Sequence, residues 1–173
     1  MIPDPLHPAV VHFPIVLILL GTVAAVVAVF WRKGYLPALA ATLLVLGALG
    51  AWAALATGES DGGLVENTSA GAGALLEAHE NWAERTLAAA ALAALIAVGS
   101  AALFRFPRAA RGVAVAAALA AGAASWTVYE TGHRGGALVY QYGAGVNTLR
   151  AAVSGEKQSA APVAKPRKEH DRD

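Results

Sequence analysis

Phe13-Pro14-Ile15-Val16-Leu17-Ile18-Leu19-Leu20-Gly21-Thr22-Val23-Ala24-Ala25-Val26-Val27-Ala28-Val29-Phe30-Trp31 contains no charged residue. A helix needs roughly 17 to 25 apolar residues to cross about 30 Å of hydrocarbon. In lipid its backbone N–H and C=O groups must be satisfied within the segment, so a stretch of this length and polarity reads as a spanning helix. Residues 36–57, 86–104 and 112–129 repeat the pattern. The composition agrees, with 57% hydrophobic and 14% charged residues in a chain of 173 and a mean hydropathy of +0.51. The expectation is an all-α membrane protein, one four-helix transmembrane bundle over residues 1–147. The remainder, 148–173, turns to Lys, Glu, Ser, Ala and Pro. Such a tail is too polar to bury a core and reads as disordered, with His170 inside it.

Loop charges give the orientation. Arg32 and Lys33 follow the first span, and Arg105, Arg108 and Arg111 follow the third, with no acid in either connection. The middle connection carries Glu59, Asp61, Glu66, Glu77, Glu80 and Glu84. Positive residues are retained inside, so both termini are expected on the outer side of the membrane. No Lys or Arg precedes the first apolar run, the reverse of a cleaved signal peptide, so that run is expected to stay as a helix. Trp31, Tyr35, Phe104 and Phe106 would mark the inner interface, and Trp52, Trp82, Trp126 and Tyr129 the outer one.

The absence of cysteine removes disulfides, thiolate zinc sites, iron–sulfur clusters and thioether-linked haem. No phosphate loop, nucleophile motif or nucleic-acid patch stands out. No ionisable residue lies mid-span; only Thr22, Thr42, Ser100 and Ser125 are polar there. Ion pumps and proton relays carry buried charges, so transport is disfavoured. The spans are rich in alanine and glycine. Small residues let helices approach closely, and the alternative use of such faces is room for a flat cofactor.

Four of the five histidines then fall at one end of the spans. His7 and His12 sit in His7-Pro8-Ala9-Val10-Val11-His12-Phe13-Pro14. Pro8 suits the first turn of a helix and biases His7 toward an extended backbone. A helix begun at Pro8 would be kinked near His12 by Pro14; alternatively Pro14 itself opens the helix. His79 leads the third span with Trp82, Ala83 and Thr86 on the same stripe, and a helix begun near Leu75 would carry these turns outside the hydrocarbon. Glu77, Glu80 and Glu84 read as its solvated face. His133 follows the fourth span in Glu130-Thr131-Gly132-His133-Arg134-Gly135-Gly136. Gly132 is a natural terminator, which would leave His133 and Arg134 at a helix C-terminus. Glu130 would then be placed to orient the His133 ring. The apolar run 137–146 is too short to span, and an interfacial segment capping the outer end suits it, with Tyr140 and Tyr142 at headgroup depth.

His7-Pro8 and Val11-His12-Phe13-Pro14-Ile15, the histidine before the third span, and Thr131-Gly132-His133 with Gly135-Gly136-Ala137-Leu138-Val139-Tyr140 and Tyr142-Gly143-Ala144-Gly145-Val146 together resemble the bacterial inner-membrane proteins catalogued as domain of unknown function 2231. The resemblance covers about residues 5 to 147. It implies a four-span fold with histidine-rich outer ends, and the company such proteins keep with cytochromes implies redox work. It brings no activity of its own.

Three functions fit these residues. In the first, His7, His12, His79 and His133 supply axial ligands to b-type haem at the outer end of the bundle, with Trp82 and Trp126 packing the porphyrin, and the protein passes electrons as a subunit of a larger membrane complex or to a cytochrome. His12 and His79 are the first choice of ligands, His7 and His133 the second. In the second, the same imidazoles bind copper or zinc. In the third, they satisfy hydrogen bonds in a structural or assembly subunit without a cofactor. An independent enzyme is disfavoured, since no carboxylate or nucleophile is sheltered and poised.

Overall fold

The structure is a computed structural model that describes residues 6–31, 35–66 and 70–144, the side chains of residues 59–66, 70 and 104 excepted. Arg32 and Lys33, the run from 145 onward and the proposed tail lie outside the described residues. The described chain is helical: α1 (His7–Val10), α2 (His12–Phe30), α3 (Leu36–Glu66), α4 (Ala70–Ala102), a 3₁₀ turn (Leu103–Arg105) and α5 (Pro107–Tyr142). Four helices are long and apolar enough to cross a membrane, His7–Phe30 counting as one through the break at Val11. The α2 helix packs on α3 and α5, and α4 packs on the same two. The result is a closed ring of four helices in which α2 and α4 face each other across the diagonal.

The break between α1 and α2 has a local cause. Pro14 has no N–H for the Val10 carbonyl. The next bond, from the Ile15 N–H to the Val11 carbonyl, is long at 3.4 Å. Pro8 occupies the first turn as expected, but His7 is helical and not extended.

Side-chain size is distributed for lipid. The buried positions are chiefly alanines, among them Ala24, Ala25, Ala40, Ala41, Ala90, Ala93, Ala97, Ala117, Ala121 and Ala124. Among the described residues only Ile18 and Leu44 are both large and fully enclosed. Phe13, Leu95 and Leu119, by contrast, are 67%, 70% and 71% exposed. Bulky apolar groups lose nothing by facing acyl chains, so helix association must come from close packing of small surfaces. The alanine faces are used for that contact. At the end of the bundle away from His7 and His79 they leave a cavity of about 10 Å³ beside Ala25, Ala28, Ala40, Ala97 and Ser100, the room one water needs and far less than a porphyrin.

Glycines set the register. A Cβ on Gly47 would stand 2.8 Å from Ile18 Cγ1 and 3.2 Å from the Ile18 backbone nitrogen. One on Gly21 would meet Leu44 at 2.9 Å, and one on Gly50 would meet Pro14 at 3.2 Å. Gly50, Gly47 and Leu44 of α3 thus lie in turn against Pro14, Ile18 and Gly21 of α2, an antiparallel match with no freedom to slide. Hydroxyls add cross-links. The Thr22 Oγ1 donates to its own helix at the Ile18 carbonyl (2.8 Å), lies 3.0 Å from the Ala121 carbonyl of α5 and 2.9 Å from Ser125 Oγ. Ser100 Oγ donates to the Ala110 carbonyl at 3.2 Å, tying α4 to α5 at the opposite end.

Two expected boundaries change. The middle connection is mostly helix: α3 runs on to Glu66 and α4 begins at Ala70. Gly132 does not end the fourth span. The α5 helix continues through Gly132, Gly135 and Gly136 to Tyr142, 36 residues or about 54 Å at 1.5 Å per residue, so residues 137–142 extend that helix and do not form a separate interfacial segment. The terminator is Gly143, at φ 68°, whose N–H returns to the Val139 carbonyl at 2.9 Å.

Steric contact should outweigh hydroxyl bonding in this bundle. Gly47→Ala is expected to cost about 1–3 kcal/mol by overpacking. Thr22→Val, which removes the hydroxyl and keeps the shape, should cost about 0.6 kcal/mol and not more than about 1.7. Unfolding of the purified protein in mixed micelles measures both; equal effects would contradict the assignment.

Candidate functional site

One end of the bundle brings two of the four histidines together. His7, above α2, and His79, on α4, meet across the bundle diagonal with ring centroids 6.3 Å apart and planes at 88°. His12, the first choice from sequence alone, is exposed on α2 and is not part of this pair. His133 is also exposed, with its ring stacked on Tyr129 at 6.1 Å, and Tyr129 in turn packs on Trp126 at 5.5 Å. These three side chains form a ladder along one face of α5, so Trp126 belongs to that ladder and not to the His7–His79 pair. The reason is rotational: half a turn of helix separates residues that face inward from residues that face lipid.

The two paired imidazoles are held in the same way. His7 donates from Nδ1 to the Ala54 carbonyl at 2.8 Å, with Thr57 Oγ1 at 3.3 Å. His79 donates from Nδ1 to the Thr131 carbonyl at 3.0 Å. A carbonyl can only accept, so in each neutral ring the proton sits on Nδ1 and the lone pair on Nε2. In both cases a glycine four residues beyond the acceptor makes room for the ring. A Cβ at Gly58 would stand 3.1 Å from His7 Cε1 and 3.2 Å from its Nδ1; one at Gly135 would stand 3.0 Å and 3.3 Å from the same atoms of His79. The α2–α3 and α4–α5 pairs therefore present matching half-sites, each a histidine on the first helix docked on a carbonyl and a glycine of the second.

Hydroxyls brace both halves. Thr57 Oγ1 bonds back to the carbonyls of Ala53 and Ala54 at 3.1 and 3.0 Å. Thr86, buried on α4, lies 2.9 Å from Thr131 Oγ1, and each bonds to its own helix, at the Trp82 and Thr127 carbonyls respectively. Such bonds fix the height of α4 against α5 at the turn whose carbonyl receives His79.

Trp82 lies one turn below His79 on the same face of α4. Two guanidinium groups approach its ring, Arg85 with Cζ 4.9 Å and Arg134 with Cζ 4.8 Å from the centroid. Arg134 also donates to the Glu130 carbonyl at 2.9 Å and pairs with the Glu130 carboxylate. Glu130 therefore serves Arg134 and does not orient His133. The pair is an i,i+4 contact inside a continuing helix, which also accounts for the absence of a C-terminus at Gly132.

Ala54, Thr57, Gly58, Thr131 and Gly135 were not legible as site residues. Their contribution is a backbone carbonyl, a bracing hydroxyl or the lack of a side chain. The one available signal was a glycine at the histidine end of the second and fourth spans. Among the described residues no group of three or more His, Cys, Asp or Glu side chains is arranged to hold a metal ion.

Gly135 and its neighbour Gly136 separate ring contact from ordinary helix propensity. Nothing lies within 4 Å of a Cβ at Gly136. Gly136→Ala should stabilise by up to about 1 kcal/mol. Gly135→Ala gains the same propensity but must displace the His79 ring, so it should be the less stable of the two variants and should shift the ¹⁵N and ¹H resonances of that imidazole.

A family profile described as Predicted membrane protein (DUF2231) matches residues 3–148. No curated protein and no solved structure matches the chain.

Proposed function

The chain belongs to the DUF2231 family of predicted membrane proteins, and we propose that it is a membrane-embedded one-electron carrier that binds b-type haem between His7 and His79. The observation that carries the proposal is the pair of equivalently docked imidazoles 6.3 Å apart. A metal–imidazole bond is about 2.0–2.1 Å long, so two axial rings on one metal place their centroids about 6 Å apart. Both rings have Nδ1 committed to a carbonyl, so Nε2 is the nitrogen that would serve as the donor.

The number of donors separates haem from free metal ions. A porphyrin supplies four nitrogens and asks the protein for one or two axial ligands. Structural zinc asks for four protein donors and catalytic zinc for three. Two imidazoles, without a third or fourth donor among the described residues, suit the first case.

Bound haem would supply an iron couple that takes and gives one electron. The chain's own residues do the rest. His7 and His79 would hold the iron from the two halves of the bundle, so that its position follows the packing of both helix pairs. The carbonyls of Ala54 and Thr131 keep each ring in one tautomer and one orientation. The alanine-packed bundle below leaves little space for water at its centre. Electrons would pass at the outer face of a bacterial cytoplasmic membrane, with both chain ends on that side, between quinone or a membrane complex and an outer cytochrome. The loop arginines support this orientation, and four helices long and apolar enough to span support the multi-pass membrane location.

Protein purified from haem-replete cells should show a Soret band and a sharp α band on reduction. His7→Ala and His79→Ala should each lower haem content by about 10-fold or more, at least the loss that removal of a supporting partner causes at metal sites. His12→Ala and His133→Ala should retain the spectrum. Absence of haem bands in the unaltered protein would overturn the proposal, and copper or zinc at one equivalent with loss on the same two variants would put a metal ion there instead.

A further inference from the structure

We propose that Arg85 and Arg134, gathered on the Trp82 ring, are the carboxylate-binding groups of this site and receive the two propionates of the porphyrin. The inference rests on the haem reading above and assigns residues that reading does not use. A porphyrin held by His79 lies beside the face of α4 that continues to Trp82, one turn away. Its rim is apolar except for two carboxylates, which are costly to leave without a cationic partner beside hydrocarbon.

The arginines meet that need by their placement. They come from different helices, α4 and α5, and both guanidinium carbons are within 5 Å of the one indole centroid. An arginine near lipid would ordinarily extend toward the aqueous boundary. Arg85 makes no ion pair among the described residues. Arg134 is held by Glu130, which fixes the position of its guanidinium while other N–H groups of the fork remain for a second acceptor. Trp82 contributes a flat support that keeps both cations in place through its ring face. Arg134 is also near enough to His79 for its charge to act on that imidazole. A carboxylate bound there would balance this charge next to the ligand. Lipid phosphate offers the same oxyanion chemistry from a second source, and the experiment has to tell the two apart.

The full chain in detergent is loaded with haem b or with its dimethyl ester, which keeps the iron and ring but has no carboxylates. Unaltered protein should prefer the diacid by about 10-fold or more, the factor one charge-assisted hydrogen bond supplies. Arg85→Gln/Arg134→Gln should lose this preference while still binding the ester through the histidines, which also shows that it folds. Arg85→Lys/Arg134→Lys should keep part of the preference, and Glu130→Gln should reduce it less than the double glutamine variant. If unaltered protein and the glutamine variant bind both porphyrins alike, the propionate assignment is overturned and the haem reading stands. If the glutamine variant keeps the diacid preference but loses binding to vesicles containing phosphatidylglycerol, the site belongs to a lipid headgroup. If neither porphyrin binds the unaltered protein, both readings fall together.

Discussion

Close approach of small-residue helix faces is the constraint on which the rest of this molecule depends. Within a bilayer, apolar side chains gain nothing by leaving lipid for protein, so the bundle must be held by van der Waals contact and by hydrogen bonds between helices. Gly47 under Ile18, Gly21 under Leu44 and Gly50 under Pro14 bring α2 and α3 together with no space for even one added methyl group at the tightest points. Contact this close permits one register. That register carries on to the histidine end of the bundle, where Gly58 lies under His7, and its counterpart in the second helix pair puts Gly135 under His79. The site is thus the continuation of the packing and not an addition to it.

Two consequences for chemistry follow from that continuity. Each imidazole is oriented by a backbone carbonyl, and a carbonyl cannot drift or titrate as a side chain would. The two half-sites also come from different helix pairs, which meet along α3–α4 and α2–α5, so the distance between the rings responds to how α2 and α3 together sit against α4 and α5. A centre held in this way would couple ligand geometry to bundle packing. Thr86 and Thr131 are hydrogen-bonded to each other at the base of the second half-site.

Much of the architecture was legible because hydropathy acts locally. Four uncharged runs of sufficient length can do little else than span, and alanine and glycine within them indicate tight packing. The errors have equally local causes. Gly132 resembles a terminator, yet Glu130 and Arg134 bridge it and the chain stays helical to Gly143. The conspicuous glycine of that region is Gly135, whose missing side chain admits a ring from another helix, a use that no periodicity reveals. His12 stands between two prolines at the start of the first span, yet it is His7 that reaches a carbonyl of α3.

By itself the sequence determined that the chain is a four-span helical membrane protein with histidines at one end, since span length, charge and composition are properties of consecutive residues. Which histidines converge, which carbonyls hold them and which arginines share Trp82 were decided only by the tertiary structure. Those pairings depend on the rotation of each helix about its axis and its height against its neighbours. Both are set by contacts between residues far apart in the chain, 52 positions for His79 and Thr131 and 103 for Thr22 and Ser125.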